Sequence, residues 1–344
     1  MKRTSPKSKG RENQSSARGP QKKAAARRPP PSEPPWFILV GPTAVGKSAV
    51  AERLASAFGT EILVADSRQV YQGMDIGTDK PSAAARARVP RHLIDLVPPD
   101  GPFSAGIYKR LAEAQIDRLS QEGKPVFIEG GTGLYIKTLL YGLWDGPPAD
   151  WDFRDRLLQE EREKGEGTLH RQLAAVDPAA AERIHPRDLP KLVRALEVYH
   201  RVGRPISEVH AAHRFSERPK GDYFLVGLRR EREDLYRRIE QRVESQIANG
   251  LIEETARLLA AGFAPQLPSM RGLGYKQMSR YLQGEQTREE AIATLKRDTR
   301  HYAKRQMTWF RADPKIEWID LTENEGPEET FERILRLKYF KIML

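Results

Sequence analysis

An α/β fold, a parallel sheet core carrying an inserted helical domain, is predicted by three observations. Short, wholly apolar runs alternate with longer helical patterns along most of the chain. Most of those runs open into loops rich in glycine or aspartate. Between residues 143 and 205 the alternation stops and only helical patterns remain. Strands apolar on both faces belong to a parallel sheet covered by helices on both sides. Ligands of such sheets sit beyond the carboxyl ends of the strands.

The first strand is Trp36-Phe37-Ile38-Leu39-Val40, which enters Gly41-Pro42-Thr43-Ala44-Val45-Gly46-Lys47-Ser48. Two glycines at this spacing before Lys-Ser, between a strand and a helix, form a phosphate loop, so the core reads as P-loop NTPase-like. The glycines let successive N–H groups turn toward phosphate oxygens. Lys47 reaches the terminal phosphates, and the Ser48 hydroxyl can ligate Mg²⁺. The pattern specifies a phosphate chain without saying which one.

The following helix carries Val50, Leu54 and Phe58 on one stripe and is expected to stop at Gly59. A second strand, Ile62 to Ala65, ends at Asp66-Ser67-Arg68-Gln69. Asp66 is expected directly across from the phosphate loop, where it can hold Mg²⁺ through water or act as a base toward an acceptor. Asp75, Asp79 and Lys80, around Ile76-Gly77-Thr78, read as a substrate lip. Leu93 to Val97 is the expected third strand, followed by a helix over 104–122 and a fourth strand, Val126 to Glu129. That strand enters Gly130-Gly131-Thr132-Gly133. Glu129 stands where an NTPase would carry a metal-coordinating acid, and both a functional and an architectural role are open to it.

Polar helices fill 143–205, with a modest stripe of Leu189, Leu192, Val193, Leu196 and Val198. Glu52 and Glu197 read as solvated positions. The α/β pattern returns at Tyr223 to Leu228. A helix from Arg232 bears Leu235, Ile239, Val243 and Ile247 and stops at Asn249-Gly250; a shorter one runs to about Ala261. Thr287 and Glu290 form a capping box that opens a long helix over 288–306. The expected domains are a disordered tail (1–35), a core (36–142 with 206–344) and a helical insertion (143–205).

Composition narrows the function classes. The 344 residues contain no cysteine, which excludes disulfides, a thiolate nucleophile and cysteine-ligated zinc. The seven histidines form no metal-ligand constellation. No apolar run approaches a membrane span, and a soluble cytoplasmic protein is expected. Ten Lys or Arg against two Glu in residues 1–35 account for +8 of the net charge of +11. This proline-rich tail either raises the encounter rate with nucleic acid or merely solubilises the chain. A second concentration lies in 271–311, where ten Lys or Arg face four acids among Tyr275, Tyr302, Trp309 and Phe310. Cations interleaved with aromatics suit an RNA backbone beside an unstacked base, although a charge run alone is also compatible with a wet helix face.

Seven ordered blocks carry a family resemblance. They are the phosphate loop 41–48, Asp66 through Pro81, His92-Leu93-Ile94-Asp95, Gly130 through Tyr135, Arg194 through Tyr199, Gly272 through Lys276 and Ala303 through Phe310. The chain resembles the tRNA dimethylallyltransferases of the bacterial type. The resemblance implies Mg²⁺-dependent transfer of a dimethylallyl group from dimethylallyl diphosphate to N6 of an adenosine. That adenosine lies immediately 3′ of the anticodon in tRNAs reading codons that begin with U.

By the same resemblance the diphosphate is held by Gly41, Pro42, Thr43, Ala44, Val45, Gly46, Lys47 and Ser48, with Arg242 as a second anchor. Asp66 corresponds to the catalytic aspartate, acting with Thr43, Lys47 and Arg242. Thr132 and Arg154 match positions lining the channel where the substrates meet. The strips Asp66, Ser67, Arg68 and Gln69, and Pro190, Lys191, Leu192, Val193 and Arg194, match tRNA-contacting regions. So do Arg271, Gly272, Leu273, Gly274, Tyr275 and Lys276, and Lys304, Arg305, Gln306, Met307, Thr308, Trp309, Phe310 and Arg311. The implied partners are a tRNA anticodon stem-loop and the prenyl diphosphate, bound by a monomer. A P-loop kinase or a prenyltransferase of free adenine nucleotides is the alternative from the loop alone.

Overall fold

The structure, a computed structural model, describes residues 35–144, 146–213 and 222–337. The tail expected to be disordered lies outside the described residues up to position 34. Six parallel strands form one sheet in the order β3-β2-β4-β1-β5-β6, where β1 is Trp36–Val40, β2 Ile62–Val64, β3 Arg91–His92, β4 Val126–Gly130, β5 Tyr223–Arg230 and β6 Glu317–Leu321. Central β1 explains its uninterrupted apolar sequence. Phe37 and Leu39 pack on one face with Leu54, Ile239 and Phe331. Trp36, Ile38 and Val40 pack on the other with Tyr108, Ile116 and Leu139.

Register pairs Val40 with both Gly130 and Gly227, so the loops after β1 and β4 leave the sheet at one level. Strand β4 lies between β1 and β2, which corrects the expectation that Asp66 faces the phosphate loop directly: the Gly130–Gly133 loop separates them. The third strand also differs from expectation. It is Arg91–His92, not Leu93 to Val97. Leu93 and Asp95 take left-handed φ values of 69° and 55°, which breaks extended structure. The segment instead hydrogen-bonds the 69–70 turn, from Asp95 N to Gln69 O (3.0 Å) and Leu96 N to Val70 O (2.7 Å).

Helices α1 (Lys47–Ala57), α2 (Ala83–Arg88), α3 (Ala105–Gln121) and α4 (Gly133–Tyr141) accompany the first four strands. A second helical group follows: α5 (Trp151–Lys164), α6 (Thr168–Val176), α7 (Pro178–Arg183), α8 (Leu189–Val202) and α9 (Ile206–His213). Leu157, Leu173, Leu192, Val193 and Val198 share an apolar cluster there with Ile206 and Val209 of α9. The helical unit thus runs past the boundary expected at 205. Glu197 is buried inside it, contrary to its expected solvation. Its carboxylate accepts from Asp150 N (2.7 Å) and ion-pairs with Arg154 and Arg194.

The last helices are α10 (Arg232–Ala248), α11 (Leu251–Ala260), α12 (Tyr275–Leu282), α13 (Arg288–Arg311) and α14 (Pro327–Leu335). The Thr287–Glu290 capping box is present, and α13 continues five residues beyond 306. Val70, Tyr71 and Met74 pack with Val243, Leu251, Met278 and Leu295, seating α10–α13 beside the open end of the sheet. Among the described residues no helix is long and apolar enough to cross a membrane.

Candidate active site

A cavity of about 840 Å³ opens at the carboxyl ends of the central strands. One wall is the phosphate loop. Gly41 lies at φ 149°, and a Cβ there would stand 2.6 Å from Leu228 O, so only glycine fits. Ala44 is left-handed at φ 64°. Two arginines that the sequence reading missed hold this conformation from behind. Arg238 Nε donates to Ala44 O (3.0 Å) and Arg230 Nε to Val45 O (3.1 Å). In a trans peptide the N–H points opposite to its C=O, so fixing these carbonyls aims the next amides the other way.

Lys47 Nζ donates to Pro42 O at 2.8 Å. Burial lowers its pKa to about 8, opposed by the negative charges of Glu129 and Asp66. Glu129 itself forms a buried ion pair with Arg91, whose Nη2 also donates to Ser48 O (3.0 Å). Its architectural role is therefore real, yet its Oε2 has no hydrogen-bond partner.

The opposite floor is built from β2 and β4. Thr132 N donates to Ala65 O (3.1 Å) and Thr132 Oγ1 accepts from Ser67 N (3.0 Å). A Cβ on Gly130 would meet Ala65 O at 2.2 Å, which explains glycine at this crossing. Asp66 Oδ1 accepts from Arg68 N (2.8 Å), an Asx turn that fixes the carboxylate at the cavity wall. Across from it stands Arg242, 3.1 Å from Asp79.

The structure therefore brings together Thr43, Lys47, Ser48, Asp66, Arg68, Gln69 and Arg242, and adds Arg271, Gly272, Leu273, Tyr275, Lys276 and Arg305 from the other side. Several expected RNA contacts turn out to support the site from within. Gln306 is buried, accepting from Thr43 N (2.8 Å) and donating to Gly131 O (2.9 Å), so it clasps two loops. Phe310 packs in the sheet core. Tyr275 is buried with its hydroxyl on Glu254 (2.6 Å), and Gly274 caps α12. Lys304, Thr308, Trp309 and Arg311 are exposed and Met307 half-buried on α13.

Arg154 and the strip 190–194 do not line this cavity. Arg154 is bound to Glu197, Leu192 and Val193 are buried, and only Pro190 and Lys191 are exposed while Arg194 is half-buried. Glu254 was also missed. It accepts from the backbone N–H groups of Asp75, Ile76 and Gly77 at 3.0–3.2 Å and so shapes the lip. A lone acid between Leu251 and Leu258 on one helix stripe was its available signal.

The sequence model for IPP transferase matches residues 69–313. The chain belongs to the IPP transferase family. The tRNA dimethylallyltransferase 2 of Geotalea uraniireducens is 53% identical over 288 residues, covering 84% of this chain and 93% of the relative. A tRNA dimethylallyltransferase of Geobacter sulfurreducens is 50% identical over 287 residues, covering 83% and 92%. The crystal structure of the full-length tRNA isopentenylpyrophosphate transferase of Bacillus halodurans superposes with a TM-score of 0.67 at 37% identity, over 90% of this chain and 97% of that one. A eukaryotic dimethylallyltransferase acting on tRNA shares the fold, with a TM-score of 0.75 at 24% identity over 90% of this chain and 80% of its own. This is an IPP transferase fold with a parallel sheet core, and the cavity is lined by Thr43, Ala44, Gly46, Lys47 and Ser48 of this chain's phosphate loop.

Proposed function

We propose that this IPP transferase moves the dimethylallyl group of dimethylallyl diphosphate to N6 of the adenosine immediately 3′ of the anticodon, in tRNAs reading codons that begin with U, and releases diphosphate. The observation that carries the reading is the single cavity holding a phosphate loop with Lys47 and Arg242 together with Asp66. All of these groups come from one chain, so a monomer suffices.

An adenine amine is a poor nucleophile, and a carboxylate cannot deprotonate it in advance. The allylic C–O bond therefore loosens first, while Lys47, Arg242 and the loop N–H groups receive the growing diphosphate charge. Asp66 aligns the amine and accepts its proton as the C–N bond forms. Water must be kept from the electron-poor allyl carbon while the bond forms.

The residues present fit Mg²⁺. Ser48 offers its hydroxyl at the first turn of α1, and the unpartnered, buried Oε2 of Glu129 suits a water of a hydrated cation. Among the described residues no group of three or more His, Cys, Asp or Glu forms a metal cage; Mg²⁺ generally keeps water and phosphate oxygens among its ligands. When bound, the ion supplies positive charge to the departing diphosphate.

Exposed Lys304 and Arg311, with Arg271, Lys276 and Arg305 at the rim, support tRNA docking on α12 and α13. The test is direct. Purified protein, Mg²⁺, labelled dimethylallyl diphosphate and bulk tRNA should yield prenylated adenosine beside the anticodon after nuclease digestion. Label on free AMP or ATP alone would replace the tRNA acceptor with a nucleotide.

A further inference from the structure

Arg242, the proposed second diphosphate anchor, already holds an anion. Asp79 Oδ2 lies 3.1 Å from its guanidinium, and both side chains line the cavity. The backbone around Asp79 is pinned on both sides. Glu254 accepts from Asp75, Ile76 and Gly77 N–H, and Gln246 Nε2 donates to Ile76 O (3.1 Å) and Gly77 O (3.2 Å). On the other side the buried Lys80 ammonium donates to Tyr71 O (2.5 Å), Asp75 (2.9 Å) and Asp95 (2.5 Å). Asp79 itself closes this turn at a left-handed φ of 57°, with its N–H on Ile76 O (3.1 Å).

With the main chain held, the Asp79 side chain is the element left to move. It is 57% exposed, and a rotation about χ1 carries its carboxylate from Arg242 into water without shifting the loop. Two anions beside one guanidinium repel each other, so carboxylate and diphosphate compete for the same charge.

We propose that Asp79 is a displaceable carboxylate: it holds Arg242 in register and is exchanged for the diphosphate of the substrate. It is a positioning residue that sets how tightly diphosphate is held, and hence how readily the product leaves. The proposal rests on the reading of Arg242 as a diphosphate anchor, and its test separates the two.

Inorganic pyrophosphate with Mg²⁺ is titrated calorimetrically into the full chain and into Asp79→Asn, Asp79→Gly, Arg242→Ala and the Asp79→Asn/Arg242→Ala double variant. Asparagine and glycine both accept the left-handed backbone, so the loop is kept. The expected result is pyrophosphate binding about fivefold tighter in both Asp79 variants, the scale of an exposed ion pair. That gain should vanish when Arg242 is alanine. The KM for dimethylallyl diphosphate should fall with the single-turnover rate unchanged. Unaltered or weaker pyrophosphate binding in Asp79→Asn overturns the proposal, because a residue that only aligns Arg242 would weaken binding when neutralised. Parent-like pyrophosphate affinity in Arg242→Ala instead removes the anchor reading itself.

Discussion

The two walls of the cavity carry positive charge in opposite ways. On the phosphate-loop wall Lys47 is half-buried with its ammonium on Pro42 O, and Arg230 and Arg238 are tied by their Nε atoms to loop carbonyls. On the α12–α13 wall Arg271, Lys276, Lys304, Arg305 and Arg311 are exposed. A half-buried cation held by hydrogen bonds acts in one geometry and answers to single substitutions. Exposed cations act as a field, shared among several residues and screened by salt. One wall suits a small ligand held to within an ångström, and the other a large polyanion.

The sharpest way to break this contrast is at Asp66, between the walls. Asp66→Ala and Asp66→Asn should lower the single-turnover rate by about 10²–10⁴, the usual contribution of a general base. Affinity for both substrates should change little. A near-parent rate in Asp66→Asn would leave the carboxylate as a positioning contact only.

Lys47→Ala comes next. Losing a charged hydrogen-bond donor to diphosphate should weaken dimethylallyl diphosphate binding by roughly 10- to 100-fold. tRNA binding, which belongs to the other wall, should be almost unaffected. Filter binding and calorimetry on one preparation measure both.

Lys47 also gives a pH signature. With its pKa near 8, the lysine loses its proton as pH rises through 8, while diphosphate favours the charged form. Affinity should therefore be maximal below pH 8 and fall above it, approaching about tenfold per pH unit. Between about pH 8 and 9, calorimetry in buffers of different ionisation heat should show net proton uptake. Binding that is flat from pH 7 to 9.5 would mean the ammonium stays charged in the free protein.

The smallest effects belong to the exposed wall. Lys304→Ala and Arg311→Ala should each weaken tRNA binding a few-fold, equally for all sequences. Each should reduce the slope of log affinity against log salt by about 0.7–0.9. An unchanged slope would take that residue off the RNA path.

What was legible in the sequence follows the same division by distance along the chain. The phosphate loop, Asp66 and the cation–aromatic segment are local patterns; the loop follows β1 as read, whereas Asp66 stands one strand further from it than expected and the segment divides into exposed cations and buried Tyr275 and Phe310. Arg242 was found through resemblance to a family, not through spacing. Strand β3 was misplaced because a two-residue strand carries no periodicity, whereas Leu93 to Val97 looks extended until two left-handed residues break it. Strand β6 went unseen because an edge strand with Glu317 and Asp320 exposed has only half an apolar signal. Arg238 and Glu254 work through partners far away in sequence, and nothing beside them names those partners. Glu197 was misread although Arg194 stands three residues before it on α8, because its other partners, Arg154 and Asp150 N, come from the start of α5.

The Gln306 clasp has a consequence in time. Its amide joins Thr43 to Gly131, and 263 residues separate Gln306 from Thr43. A ribosome adding about 5–20 residues per second makes the phosphate loop and then works for roughly 13–50 s before the residue that fastens it emerges. Central β1 likewise waits for β5 as a neighbour. A nascent chain halted before α13 thus carries every residue of the phosphate loop and lacks the amide that ties it to the Gly130–Gly133 loop. Completion of the site therefore waits for the synthesis of α13.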